Sequence, residues 1–270
     1  MRIRGLALMA ASVAVLLTGC AASGGGSSAS SSSAPSSGKL SGTLTVFAAA
    51  SLTDVFTKLA DQLEKANPGL HVQFNFAGSS ALATQLTQGA PADVFASADQ
   101  TQMTKVAHAG LAEDPQVFAS NPLMLAVPKG NPAGITAPAS GQARLADLLA
   151  PDATLAVCAP EVPCGAAAKK ALDQAGLADA PDTFEDDVRS VLTKVQLGEV
   201  DAGLVYVSDV HAAGDSVVAF AFQQPDADIN RYPVTVVKGA PHQAAARAFV
   251  DLVLSDEGQQ TLRDAGFLEP

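Results

Sequence analysis

Leu44-Thr45-Val46-Phe47-Ala48-Ala49-Ala50-Ser51-Leu52 is a nearly continuous apolar run that ends at a serine. Such a run is expected of a strand buried on both faces in a parallel sheet. Leu52, Val55, Phe56, Leu59 and Leu63 then recur at helical spacing, and Asn67-Pro68-Gly69 stops the helix. The same transition follows downstream. Val72, Phe74 and Phe76 alternate as a strand, Ala77-Gly78-Ser79-Ser80 turns, and a short helix runs through Leu82 and Leu86 to Gly89. The pattern continues with a brief strand at 93–96, a helix at 99–109 closed by Gly110, and an apolar run at 123–127 after Asn121-Pro122. Further on come a short helix at 144–149, a strand at 154–157, and helices at 165–175 and 188–197 closed by Gly176 and Gly198. Strands at 202–207, 217–220 and 232–237 precede two last helices at 243–254 and 256–265. Repeated β–α units predict an α/β fold with helices on both faces of each sheet. The length of 270 residues accommodates two such lobes.

In an open α/β sheet, ligands bind beyond the carboxyl ends of strands, at helix N-termini. Ser51 and Ser79 both sit at that corner. A helix N-terminus offers unpaired N–H groups and the positive end of a dipole, and a serine hydroxyl adds a further donor. Two such corners facing one cleft would hold an oxyanion without lysine or arginine. The competing reading is that both serines merely cap their helices. Three points of similar character fall in the second half: Cys164-Gly165, Asp187-Val188 and Tyr206 at the end of its strand. They would line the opposite wall of a cleft. Asp93 and Asp99 read as caps or ion-pair partners. Glu185-Asp186-Asp187 reads as an acidic first turn that favours the helix dipole and must turn its carboxylates away from an anion.

The formal net charge is -11, with 48% hydrophobic residues and a mean hydropathy of +0.21. An acidic chain has no basic face for phosphate backbones, so nucleic-acid binding is not expected. Global acidity does not prevent anion binding by backbone dipoles, because that depends on local geometry.

Arg2 and Arg4 followed by the apolar stretch from Leu6 to Leu17 read as a signal peptide over 1–20. The stretch ends in Leu17-Thr18-Gly19-Cys20, which resembles the bacterial lipobox and marks Cys20 for lipidation. Residues 21–40 are dominated by Ser, Ala and Gly and read as a flexible tether. Export permits a disulfide between Cys158 and Cys164, across a short loop stiffened by Pro160 and Pro163. His71, His108, His211 and His242 are scattered, and none pairs with a cysteine at metal-ligand spacing.

Taken in order, these motifs resemble those of ModA-type periplasmic molybdate-binding proteins of ABC transporters. The similarity runs from about Thr43 to the C-terminus. It is carried by Val46-Phe47-Ala48-Ala49-Ala50-Ser51-Leu52, Phe76-Ala77-Gly78-Ser79-Ser80, Gly89-Ala90-Pro91-Ala92-Asp93-Val94-Phe95 and Ser97-Ala98-Asp99-Gln100. The second half adds Pro160-Glu161-Val162-Pro163-Cys164-Gly165, Glu185-Asp186-Asp187-Val188-Arg189, Gly203-Leu204-Val205-Tyr206 and Tyr232-Pro233-Val234. The resemblance implies a two-lobed periplasmic binding protein-like (type II) fold, each lobe a mainly parallel sheet flanked by helices. Lobe I would comprise 41–121 and 234–270, and lobe II 122–233. It also implies a tetrahedral oxyanion held by the hydroxyls of Ser51, Ser79 and Tyr206 and the backbone N–H groups of Cys164 and Val188. The family pattern has alanine at Cys164, a change that a backbone donor tolerates. Molybdenum would be bound only as its oxyanion, with no cofactor.

The chemistry agrees with that implication. Molybdate near neutral pH is a dianion that only accepts hydrogen bonds, so its ideal site is made of donors. Phosphate keeps a proton and favours a site with an acceptor. Sulfate shares charge and shape, and pocket size must separate it; tungstate should bind much as molybdate does. The expected protein is a monomeric, lipid-anchored solute-binding component outside the cell membrane, partnered by an ABC permease and its ATPase. Alternatives are another tetrahedral oxyanion such as sulfate, or a sensory lipoprotein without transport. A serine hydrolase is disfavoured: neither serine lies in a Gly-x-Ser-x-Gly elbow, and no histidine is patterned to sit beside one.

Overall fold

The computed structural model describes residues 39–137 and 143–270. The signal segment, Cys20 and nearly all of the tether lie outside the described residues. From Lys39 onward the chain forms one compact unit containing two five-stranded sheets.

The first sheet is built from β1 (Ser41–Ala49), β2 (Gly69–Ala77), β3 (Val94–Ala96), β4 (Ala112–Asn121) and β10 (Asn230–Val237), in the order β2-β1-β3-β10-β4. Helices α1 (Thr53–Ala66), α2 (Ser79–Thr87), α3 (Gln100–His108), α8 (Gln243–Leu254) and α9 (Asp256–Asp264) belong with it. The second sheet contains β5 (Leu123–Pro128), β6 (Leu155–Cys158), β7 (Pro181–Glu185), β8 (Ala202–Tyr206) and β9 (Val217–Ala221), ordered β7-β6-β8-β5-β9. Its helices are α4 (Leu145–Leu148), α5 (Pro163–Ala175), α6 (Val188–Leu197) and α7 (Val207–Ala213).

Each sheet has its own apolar core. Leu44, Val46, Phe56, Leu82, Phe95 and Phe249 anchor the first, with Phe56 and Phe249 edge to face at 5.3 Å. Leu125, Leu155, Leu172, Val191 and Leu204 anchor the second. The sheets share one logic. β1 pairs in parallel with β2 and β3, and β6 with β7 and β8. The remaining pairings, β10 with β3 and β4 and β5 with β8 and β9, are antiparallel. The antiparallel strands are those that carry the chain between lobes. β4 ends at Asn121 and β5 begins at Leu123 across Pro122; the chain returns between β9 and β10.

The expected return point at 233–234 falls within β10, whose residues from Asn230 to Val237 pair with β4 of the first sheet. Three elements lie where the periodicity predicts none: β4, β7 and α7. β4 begins with exposed or half-buried Ala112, Glu113, Asp114 and Pro115, with Asp114 at φ 45, so it lacks an apolar run. β7 is an edge strand whose Phe184 is exposed. α7 is too short for a helical stripe to stand out.

Candidate functional site

The carboxyl ends of β1, β2 and β8 meet the N-termini of α2, α5 and α6 in one small cavity. Ser51, Ser79, Cys164, Val188 and Tyr206 all line it, so the five residues singled out in the sequence come together. All five are buried, none more than 3% exposed. The cavity measures ≈ 10 Å³, and about 10–15 Å³ is what a single water-sized body occupies by such a measure. A site of this size suits one compact solute rather than an extended organic substrate. A larger groove of ≈ 540 Å³ beside Arg144, Leu145 and Gln174 is drawn from the second lobe and the return crossing alone. Its Arg144 is already paired with Asp147 at 2.6 Å, so no charge there awaits a ligand.

The local chain geometry brings several hydrogen-bond donors to the cavity lining. Ser51 lies in a 3₁₀ turn at Ala50–Leu52 ahead of α1, and its Oγ is 3.0 Å from the Tyr232 hydroxyl. Ser79 is the first residue of α2, whose cap position is Gly78. The Ser79 Oγ accepts from the Ala98 N–H at 3.0 Å. Neither serine therefore caps a helix; the residues at the caps of α1 and α2, Leu52 and Gly78, make no side-chain cap bond. With its oxygen accepting from Ala98, Ser79 keeps its proton for a different acceptor.

Pro163 opens α5 and has no N–H, so Cys164 carries the first donor of that helix. Cys164 is joined to Cys158 at the end of β6 by a disulfide. The cap of α6 is Asp187, whose Oδ1 accepts from the N–H groups of Arg189 at 2.8 Å and Ser190 at 3.0 Å, while its Oδ2 accepts from Ser190 Oγ at 3.2 Å. The carboxylate is thus committed to its own helix, although Asp187 lines the cavity. The Val188 N–H, ahead of both capped donors, has no intrahelical acceptor. Asp99 likewise caps α3 through Gln102 N at 2.8 Å, and Asp93 accepts from Thr45 N at 2.8 Å and His242 N at 2.9 Å.

Tyr206 ends β8. Burial, reinforced by Tyr232 and the charges of Asp99 and Asp209, raises its pKa well above that of a free phenol. Its hydroxyl therefore remains a donor across the physiological range. Burial likewise pushes Tyr232 up.

Behind these residues lies a shell that sequence reasoning did not assign. Asn121 Nδ2 donates to Ser208 Oγ at 2.8 Å and to the Tyr232 hydroxyl at 3.3 Å. Asn230 Nδ2 donates to the Tyr206 hydroxyl at 2.7 Å, to the Ala98 carbonyl at 3.0 Å and to the Pro163 carbonyl at 3.2 Å. Asn121 and Asn230 face each other across the β4–β10 ladder. Arg189 contacts no cavity-lining hydroxyl in this arrangement; it bridges the lobes. It reaches Asp54 of α1 at 2.6 Å and the buried Asp209 of α7 at 2.9 Å. The Nε–Oδ1 approach to Asp209 is close but not aligned as a hydrogen bond. Burial, opposed by Arg189, raises the Asp209 carboxyl to about 6. Gly78 closes the cleft by proximity. A Cβ there would lie 2.3 Å from the Asp186 carbonyl oxygen of the opposite lobe.

Comparison with known proteins follows the same lines. Residues 44–268 match the model of the family described as bacterial extracellular solute-binding protein. The molybdate-binding protein ModA of Mycobacterium tuberculosis is 44% identical over 258 residues, covering 95% of each chain. Among solved structures, the periplasmic molybdate-binding protein of Azotobacter vinelandii superposes with a TM-score of 0.71 at 20% identity, over 84% of this chain and 99% of that one. The sulfate-binding protein SubI of M. tuberculosis superposes at 0.66 with 18% identity, over 83% of this chain and 86% of that one. At those identities the two superpositions speak to the fold alone, and the fold serves more than one oxyanion.

Proposed function

The chain belongs to the ModA-type molybdate-binding proteins within the bacterial extracellular solute-binding family, and from that premise we propose that it captures molybdate, and tungstate as well, for an ABC importer. The five ligand groups are the hydroxyls of Ser51, Ser79 and Tyr206 and the N–H groups of Cys164 and Val188. The observation that carries this reading is the convergence of these five donors on one small cavity, with the Asp187 carboxylate that also lines it already accepting from its own helix. A dianion with no proton of its own satisfies all of them. A protonated phosphate would bury a donor without an acceptor, at about 1–3 kcal/mol.

Lobe I (41–121 and 230–270) and lobe II (122–229), with all of β10 in the first sheet, hinge about the two crossings and close on the anion. Because the anion touches both lobes it binds the closed form better, and closure becomes the signal read by the permease and its ATPase. Lipidation at Cys20 anchors this monomer to the outer face of the cell membrane, with 21–40 as tether. The test is calorimetric titration of the body from Lys39 onward with molybdate, tungstate, sulfate and phosphate. Tight binding of the first two and negligible binding of phosphate is expected. Phosphate competing with molybdate at comparable concentration would overturn the proposal.

A further inference from the structure

Asn230 does not line the cavity, yet its amide touches the framework of three proposed ligands. The Ala98 and Pro163 carbonyls can only accept, so the atom facing them is the NH2 group and the amide orientation is fixed. An NH2 group cannot accept, and its two protons serve the two carbonyls and the Tyr206 hydroxyl, with one proton shared. The Tyr206 hydroxyl, 2.7 Å away, must therefore accept from Asn230 and direct its own proton elsewhere. A buried dianion in the cavity would be a strong acceptor for that proton.

The second contact acts on a different donor. The Pro163 carbonyl and the Cys164 N–H belong to one peptide unit, and in a trans peptide they point in opposite directions. Holding the carbonyl on Asn230 turns the N–H away from Asn230, toward the cavity that Cys164 lines. The third contact reaches the other lobe. The Ala98 carbonyl accepts from Asn230 while the Ala98 N–H donates to Ser79 Oγ. One side chain at the start of β10 thus links a first-lobe ligand to two second-lobe ligands.

We propose that Asn230 is a positioning and specificity-determining residue: it fixes the Tyr206 hydroxyl and the Cys164 N–H as donors into the site, and so excludes oxyanions that carry a proton. A hydroxyl free to rotate can accept as well as donate, and would admit hydrogen phosphate. Asn230 removes that freedom. The proposal rests on the oxyanion reading of the cavity.

The experiment is a double-mutant cycle on the full-length chain. Asn230→Ala, Tyr206→Phe and the double variant are titrated with molybdate and phosphate, with anion-free melts alongside. If the parent does not bind molybdate, the oxyanion reading fails first, whatever the variants do. Given a binding parent, Asn230→Ala should lose at least about tenfold in molybdate affinity, as one misdirected charge-assisted bond would cause. Its molybdate-to-phosphate preference should shrink. Its loss should also be smaller in the Tyr206→Phe background than in the parent, because part of it acts through the missing hydroxyl. A purely structural role predicts equal losses for both anions and additive effects, and either result overturns the proposal. If Asn230→Ala does not fold, Asn230→Ser enters the same cycle; failure of both to fold assigns Asn230 to the framework and also overturns it.

Discussion

Gly78→Ala isolates lobe closure from lobe folding. Gly78 has φ -59 and ψ 134, a conformation open to any L-residue. Alanine there carries no backbone strain, so each lobe should fold as before. The obstacle lies across the cleft, where the new Cβ would meet the Asp186 carbonyl oxygen at 2.3 Å. An ordinary carbon–oxygen contact needs roughly 3.4 Å, and no rotamer change moves either atom, since one is Cβ and the other backbone. The cleft must open locally by about 1 Å. A hydrogen bond of 2.9 Å stretched by that much has left the bonding range. Asp186 adjoins Asp187-Val188, so the Val188 N–H is the donor most directly withdrawn. Losing one bond to a buried charge costs about 1.5–3 kcal/mol, or ten- to a hundredfold in affinity, and more if Tyr206 and Cys164 retreat as well. Titration calorimetry reads the affinity, and melts with and without molybdate read the stabilisation by anion. The variant should melt like the parent without anion and gain far less on adding it. Parent-like affinity would refute the reasoning that contact at Gly78 sets closure.

Three further outcomes are expected. Asp209 has its folded pKa raised to about 6, so its protonation stabilises the folded form below about pH 4 and this contribution is lost as pH rises through 6; Asp209→Asn should flatten the melting temperature between pH 4 and 7, and an unchanged pH profile would contradict it. Reducing the Cys158–Cys164 disulfide opens a short loop worth about 2–3 kcal/mol in the chain-entropy model; thermal melts with and without reductant should show the drop, and coincident melts would count against it. Cys20→Ala should release the protein from membranes, since the lipid is its proposed anchor; retention in the membrane fraction at high salt would oppose that.

Much of the fold was legible because burial leaves a periodic mark. β1 and α1 are read from an apolar run followed by a helical stripe, and Gly176 and Gly198 end α5 and α6 with φ of 72 and 68. β4 and β7 were silent because an edge or half-exposed strand need not be apolar, and Asp114 and Pro115 disguise the first of them. The site divides in the same way. Ser51 and Ser79 stand at strand-to-helix corners, which sequence displays. Asn230, Asn121 and Ala98 act through partners remote in sequence, brought close only when β10 returns beside β3 and β4. The one local hint was Asn230 placed just before Tyr232-Pro233-Val234. Arg189 illustrates the same limit. Its charge is plain in the sequence, while its bridge between Asp54 and Asp209 depends on the lobes meeting.

The most direct test of the five-donor site is the serine at the head of α2. Ser79 is 1% exposed, and its oxygen is held by the Ala98 N–H at 3.0 Å. Titration of Ser79→Ala with molybdate, paired with an anion-free melt, separates a ligand from a framework residue. The account predicts affinity reduced about ten- to a hundredfold, with a loss of folding stability near 1 kcal/mol from the unpaired Ala98 N–H. A variant that melts lower yet binds molybdate like the parent would contradict it.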